Sequence, residues 1–100
     1  MATKPAQLAQ QTIASTGTAQ VLTNSTVICY SVLIRANSSN VGYIVIGNSG
    51  VTTANSAIQL VPNDTHLFDK VDPNLGYDLS TIWVAGTTAD KFMVSYTIRE

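Results

Sequence analysis

The sequence predicts an all-β fold, a small antiparallel β-sandwich for which the jelly roll is a candidate arrangement. Short apolar segments alternate with polar residues, as in strands that have one buried face. Turn-forming residues recur roughly every 8–12 residues, which is typical of sandwiches and barrels. No long window has helical periodicity, so the crossover helix that a parallel sheet needs is not expected.

A chain of 100 residues forms one domain. We divide it into an extended N-terminal arm, residues 1–10, and a single β-sandwich domain, residues 11–100. The arm is small and polar, with Pro5 near its start and too few apolar residues to dock on its own domain. We expect it to become ordered only where a partner holds it. The chain start lacks the apolar core of a signal peptide, and no apolar run approaches the ~20 residues of a membrane span.

The first predicted strands are short. Gln11 to Thr16 predicts a strand with Ile13 inward, Gly17 marks a turn, and Ala19 to Leu22 predicts a second strand. A helix over Gln7 to Ile13 is an alternative, since Ala and Gln are good helix formers, but a window this short is unstable alone.

The middle of the chain predicts a β-hairpin over residues 25–47. Ser25 to Ala36 is followed by the turn Asn37-Ser38-Ser39-Asn40, and Val41 to Gly47 returns antiparallel. The first of these strands places Val32, Ile34 and Ala36 on one face, and Leu33 and Arg35 on the other.

The second half predicts four further strands separated by turns. They are Ile58 to Val61, Thr65 to Phe68, Thr81 to Ala85 and Lys91 to Arg99, with turns at Pro62-Asn63-Asp64, Asp69 to Gly76 and Gly86 to Asp90. The last strand alternates most regularly and should bury Phe92, Val94, Tyr96 and Ile98. We predict that Ile46 and Val94, each in the middle of an apolar run, are core positions.

Charge is sparse. The net charge is -1, and charged residues make up 11% of the chain, against ~25% in ordinary soluble domains. The five basic residues are scattered without a stripe, which disfavours nucleic acid as a partner. Thr, Ser, Asn and Gln must therefore cover most of the surface.

Candidate catalytic and metal-binding residues are few. His66 lies near Asp64 and Asp69 in sequence, and a histidine with a carboxylate can transfer protons. With no second histidine or nucleophile motif, a half-exposed strand residue is the favoured interpretation. Paired carboxylates could come from the turn residues Asp64, Asp69, Asp72, Asp78 and Asp90, but turn aspartates usually bond their own backbone. Cys29 is the only cysteine and is predicted to be buried. We expect no enzyme activity, metal or cofactor.

Three aromatic residues could form a platform for a sugar: Tyr43, Tyr77 and Trp83. Burial of Trp83 in the core or at a subunit interface is favoured over a carbohydrate site, because large aromatic side chains are usually buried.

The order of four motifs resembles small β-sandwich proteins among the structural genes of tailed bacteriophages. They are Val45-Ile46-Gly47-Asn48-Ser49-Gly50-Val51, Ile58-Gln59-Leu60-Val61-Pro62, Tyr77-Asp78-Leu79-Ser80-Thr81-Ile82-Trp83-Val84-Ala85-Gly86-Thr87 and Asp90-Lys91-Phe92-Met93-Val94-Ser95-Tyr96. The likeness covers roughly Val32 to Tyr96. Two features depart from it: Asn63-Asp64 stands where glycine followed by an acid is usual, and the Asp69 to Gly76 loop is longer.

The resemblance implies a virion component of the head decoration or cement type, a homo-oligomer, often a trimer, on the outer capsid surface. It would bind the major capsid protein, with no nucleic acid or membrane partner, and would be made in the host cytoplasm. An N-terminal arm could add a strand to a neighbouring sheet edge. The predicted partner-binding residues are Thr3, Lys4, Pro5, Gln7 and Leu8 of the arm, with Tyr77 and Trp83. A tail, fibre or receptor-binding module that recognises surface carbohydrate is the alternative, and a small hydrolase using His66 is the third.

Overall fold

A computed structural model describes residues 3–52, 54–69 and 76–99. Within these ranges the chain forms eleven strands and one 3-10 turn, Leu79–Thr81. The strands are β1 (Thr3–Gln7), β2 (Gln11–Thr12), β3 (Gln20–Val21), β4 (Ile28–Cys29), β5 (Ser31–Ala36), β6 (Ile44–Gly47), β7 (Ile58–Leu60), β8 (Thr65–Phe68), β9 (Tyr77–Asp78), β10 (Trp83–Ala85) and β11 (Lys91–Arg99). The prediction of an all-β fold is confirmed, and strands replace the alternative helix over Gln7 to Ile13.

Two antiparallel sheets enclose the core. Sheet A has the order β1-β11-β5-β8, with β2 also paired to β11, and sheet B has the order β3-β10-β6-β7. Strands pair from the two ends of the chain inwards: β1 with β11, β3 with β10, β4 with β9, β5 with β8, and β6 with β7. The chain is therefore one long hairpin wrapped around a core, which is the topology of a jelly roll.

The predicted hairpin over residues 25–47 is wrong. Strand β5 pairs with β11 and β8 in sheet A, whereas β6 pairs with β10 and β7 in sheet B. The turn at residues 37–40 therefore crosses between the sheets. Alternation shows that a strand buries one face. A strand in either sheet of a sandwich buries one face against the shared core, so the pattern does not show to which sheet the strand belongs.

The N-terminal segment differs from the expected free arm, because Thr3–Gln7 pairs with β11 of its own domain. Backbone pairing, rather than apolar side chains, supplies most of this contact, although Leu8 also packs against the core. Pro5 has no N–H to donate, which is tolerated on an edge strand. Residues 1 and 2 lie outside the described ranges.

A β-bulge joins β1 to β2. Gln7 lies opposite Ser95 and Gln11 lies opposite Phe92, so the three residues 8–10 face only two residues of β11. The Leu8 N–H donates to the Val94 carbonyl oxygen at 3.1 Å. An extra residue of this kind bends the strand and redirects its side chains.

The core lies between the two sheets and confirms the predicted inward residues. Ile46 is 3% exposed and Val94 is 1% exposed, and Ile13 is also buried. The predicted inward face of β5 is confirmed as well, because Val32, Ile34 and Ala36 are all buried while Leu33 and Arg35 are exposed.

A second, smaller apolar cluster covers the outer face of sheet B. Val45, Val51 and Ala85 are buried there, with Ala19 and Trp83 packed against them. The connection after β6 folds back so closely that a Cβ on Gly47 would meet Val51 at 2.9 Å. The most apolar strand of the chain is buried on both faces for this reason.

Two non-glycine residues have left-handed backbone conformations. Asn63, with φ 73°, follows Pro62 in a turn closed by the Asp64 N–H and the Val61 carbonyl oxygen at 2.9 Å. Asparagine tolerates this conformation better than most residues do. Ala89, with φ 75°, has no such tolerance.

Replacing Ala89 with glycine should stabilise the fold. Glycine removes the Cβ penalty at positive φ but increases the entropy of the unfolded chain, so we expect a net gain of about 0.5 kcal/mol. Urea unfolding would measure it, with Ala54→Gly as a control at an exposed alanine without positive φ. Loss of stability in Ala89→Gly, of the size seen in Ala54→Gly, would contradict the expected strain.

Candidate protein-binding surface

The outer face of sheet A exposes apolar side chains from two neighbouring strands, β5 and β8. Strand register places one row of side chains across it: Gln7, Ser95, Leu33 and Leu67. The next row contains Met93, Arg35 and Thr65. Leu33 is 39% exposed and Leu67 is 54% exposed, and they lie directly opposite each other on β5 and β8. This pair gives the face an apolar centre.

A groove with a volume of about 540 Å3 runs along this face beside the β1–β2 bulge. Gln7 and Gln10 line one side, Leu33 and Arg35 line the other, and Met93 lies between them on β11. The bulge creates the groove, because it makes the edge strand bend at residues 8–10.

Arg35 and Lys91 are exposed cations on this face. One guanidinium N–H of Arg35 is donated to the Asn63 Oδ1 atom. An arginine has five N–H donors, so most donors of this guanidinium remain available.

The predicted partner-binding residues lie in three separate places. Residues 3–8, which include Thr3, Lys4, Pro5, Gln7 and Leu8, form the edge of sheet A, and of these Gln7 and Leu8 line the groove. Tyr77 is in β9, where its ring centroid is 5.7 Å from that of Phe68 and its hydroxyl donates to the Asp69 carbonyl oxygen at 2.7 Å. Trp83 is half-buried in the cluster outside sheet B.

The structure does not bring the three aromatic residues together as one platform. Trp83 lies opposite Gly47, four residues along the strand from Tyr43, or about 13 Å at the usual rise. Tyr77 packs against the main core rather than against the Trp83 cluster. A sugar platform made of all three side chains is therefore not formed.

His66 lies on the inward side of β8 at the sheet edge, opposite Ile34. Its ring stacks edge-on against Phe68, with centroids 4.6 Å apart. The predicted half-exposed strand residue is what the structure has. Across the described ranges, no group of three or more His, Cys, Asp or Glu residues could hold a metal.

The turn aspartates differ in their surroundings. Asp78 accepts hydrogen bonds from the Ser80 N–H at 2.9 Å and the Ser80 hydroxyl at 2.8 Å, which hold the pKa of its carboxyl below the usual value. Asp90 is buried and accepts two backbone N–H groups. Asp64 and Asp69 are exposed, and Asp72 lies outside the described residues, as does most of the Asp69 to Gly76 loop. Asp78 bonds the backbone of its own turn, as the sequence predicts, whereas Asp90 accepts N–H groups from Val41 and Gly42, which are distant in the chain.

Cys29 is fully buried, and burial, with the nearby charge of Asp78 as a smaller cause, raises the pKa of its thiol from 9.0 to about 11. The folded state therefore holds its proton at a pH where the unfolded state loses it. This contribution to stability is complete below pH 9 and is lost as the pH rises towards 11, by on the order of 2 kcal/mol.

Urea unfolding of the wild type and of Cys29→Ala at pH 8 and pH 10.5 would test this titration. The wild type should lose more stability at high pH than the variant, which lacks the thiol. An equal loss in both proteins would show that the thiol does not titrate as described.

Sequence reasoning missed the groove. Its signal was present in part, because Leu33 and Met93 are apolar residues at positions predicted to face outward on two strands. What the pattern could not show is that β5 and β11 are neighbours and that a bulge lies beside them.

Comparison with known proteins gives no relative: no family model, no curated protein and no solved structure matches the chain. In the described ranges no helix is long and apolar enough to span a membrane.

Proposed function

We propose that the chain is a non-enzymatic virion structural protein that binds the outer surface of an assembled phage head and stabilises it. The observation that carries the proposal is the outer face of sheet A, which exposes Leu33 and Leu67 side by side on a rigid sheet. Exposed apolar side chains on a regular surface are typical of sites that bind other proteins.

Two further features support this function. The motif order resembles phage structural proteins, and the strand pairing is that of a jelly roll, an architecture that viral capsid domains also use. The second is an analogy of fold, which many functions share. In this proposal the chain forms a homotrimer, binds the major capsid protein, and acts through binding energy alone.

Co-sedimentation with heads that lack the protein would test the proposal. Purified protein should pellet with heads of the phage that encodes it, saturate at a fixed ratio to the major capsid protein, and raise the temperature at which the heads break. Isolated tails serve as the control particle. Protein that remains in the supernatant with heads, or pellets equally with tails, would contradict a head decoration function.

A further inference from the structure

The groove on the outer face of sheet A combines an apolar floor with a cation at its side. Met93 is half-buried at its centre, and Leu33 and Arg35 are exposed along one side. The opposite side carries the amide side chains of Gln7 and Gln10. An apolar patch with a few placed polar groups is the usual composition of a site that fixes a bound segment in one orientation.

Charge on this face has one sign. Residues of β5 and β11 alternate between the two faces of the sheet, so Arg35 and Lys91 lie on the same side as Leu33 and Met93. In the described ranges, the outward positions of the sheet A strands hold no carboxylate. Asp69 follows β8 four residues beyond Thr65, the residue opposite Arg35, which is about 13 Å away along the strand. A bound segment that complements this face is acidic.

We propose that the groove binds an extended acidic segment of a protein partner. An aliphatic side chain of that segment lies against Leu33 and Met93, and a carboxylate next to it pairs with the Arg35 guanidinium. Arginine suits this role because its planar fork binds a carboxylate through two N–H groups. The bond from Arg35 to Asn63 uses one donor and leaves most of the guanidinium N–H groups for such a pair. The identity of the partner as the major capsid protein rests on the proposed function. The acidic and aliphatic chemistry of the segment rests on the groove residues alone.

A second copy that docks through this same face, related by a twofold axis, fits it less well. Two copies related by a twofold axis would present the same patch to each other, which would place Arg35 and Lys91 of one copy near Arg35 and Lys91 of the other. Like charges held together across an interface oppose binding.

Nuclear magnetic resonance titration of the isotope-labelled protein would test the groove. The probe is an acetylated, amidated peptide that alternates leucine with glutamate, and the control peptide has lysine in place of glutamate. The glutamate peptide should shift the amide signals of Gln10, Leu33, Arg35 and Met93, and salt should weaken its binding.

Charge-reversal variants sharpen the test. Arg35→Glu should weaken peptide binding by about tenfold or more, the scale expected when an attractive charge becomes repulsive. Lys4→Glu makes the same charge change on β1 outside the groove lining, and should bind as the wild type does. The spectrum of each variant shows whether it is folded. The inference would be overturned if the peptide shifted signals outside the groove, or if both peptides bound equally well. It would also be overturned if the groove signals shifted with protein concentration in the absence of peptide, because a second copy would then occupy the groove.

The same variants separate this inference from the proposed function. If the wild type and Arg35→Glu pellet equally with heads, the groove is not the site, and head binding stands. If the peptide binds the groove but the wild type does not pellet with heads, the docking chemistry stands, and the head decoration function is wrong.

Discussion

Replacing Phe92 with alanine is expected to cost about 3–5 kcal/mol of unfolding free energy, the usual range for removing a buried aromatic side chain. Phe92 is fully buried in β11, between Ala36 of β5 and Gln11 of β2. Its ring fills the space beside two small or polar neighbours, so the cavity cannot close without moving a strand. Natural domains have only about 5–15 kcal/mol of stability in total, so much of it would be lost.

Urea unfolding followed by tryptophan fluorescence would measure this loss. Ser95→Ala is the matched control, because Ser95 is on the same strand but faces outward and is exposed. The control should change stability by less than about 0.5 kcal/mol. A similarly small change for Phe92→Ala would mean that the inward face of β11 is wrongly assigned.

Replacing Asp90 with alanine is expected to cost about 2–4 kcal/mol, because it leaves two part-buried backbone donors without acceptors. Asp90 is 4% exposed. Its Oδ1 atom accepts the Val41 N–H and its Oδ2 atom accepts the Gly42 N–H, each at 2.9 Å. The carboxylate therefore ties the crossover between β5 and β6 to the start of β11.

A neighbouring pair of hydrogen bonds strengthens the same junction. The Asn40 side-chain amide donates to the Lys91 carbonyl oxygen at 2.8 Å, and the Lys91 N–H donates to the Asn40 Oδ1 atom at 2.7 Å. Packing there is close, since a Cβ on Gly42 would collide with the Thr87 Oγ1 atom. The Asp90 carboxylate thus lies in a site with little room for water to replace it.

Thermal unfolding of three variants would isolate the Asp90 contribution. Asp90→Ala should melt about 8–32 °C lower than the wild type, given ~4–8 °C per kcal/mol for a domain of this size. Asp90→Asn keeps one acceptor, so its melting temperature should lie between those of the wild type and Asp90→Ala. Asp64→Ala removes an exposed carboxylate and should melt close to the wild type. If Asp90→Ala also melted close to the wild type, the N–H groups of Val41 and Gly42 would have found other acceptors.

The sequence was sufficient to predict individual strands and the faces they bury. The bounds of β8 and β11 agree with the predicted segments, and the inward residues of β5 are those that its alternation indicates. These features are local, because a strand buried on one face alternates with period two wherever it lies in the fold. The turn at Pro62-Asn63-Asp64 is local as well, since proline and asparagine set its backbone angles.

Only the tertiary structure decided which strands are neighbours and where the candidate site lies. Residues 3–7 dock on β11 through backbone groups, which every residue type carries and no sequence pattern marks. Asp90 finds its donors 48 and 49 residues away in the chain, so a local reading sees only a turn aspartate. The groove exists because β5, β11 and a bulged edge strand meet. Pairing between distant segments creates the groove. The sequence does not predict this pairing, because alternation within each strand is the same whichever partner the strand has.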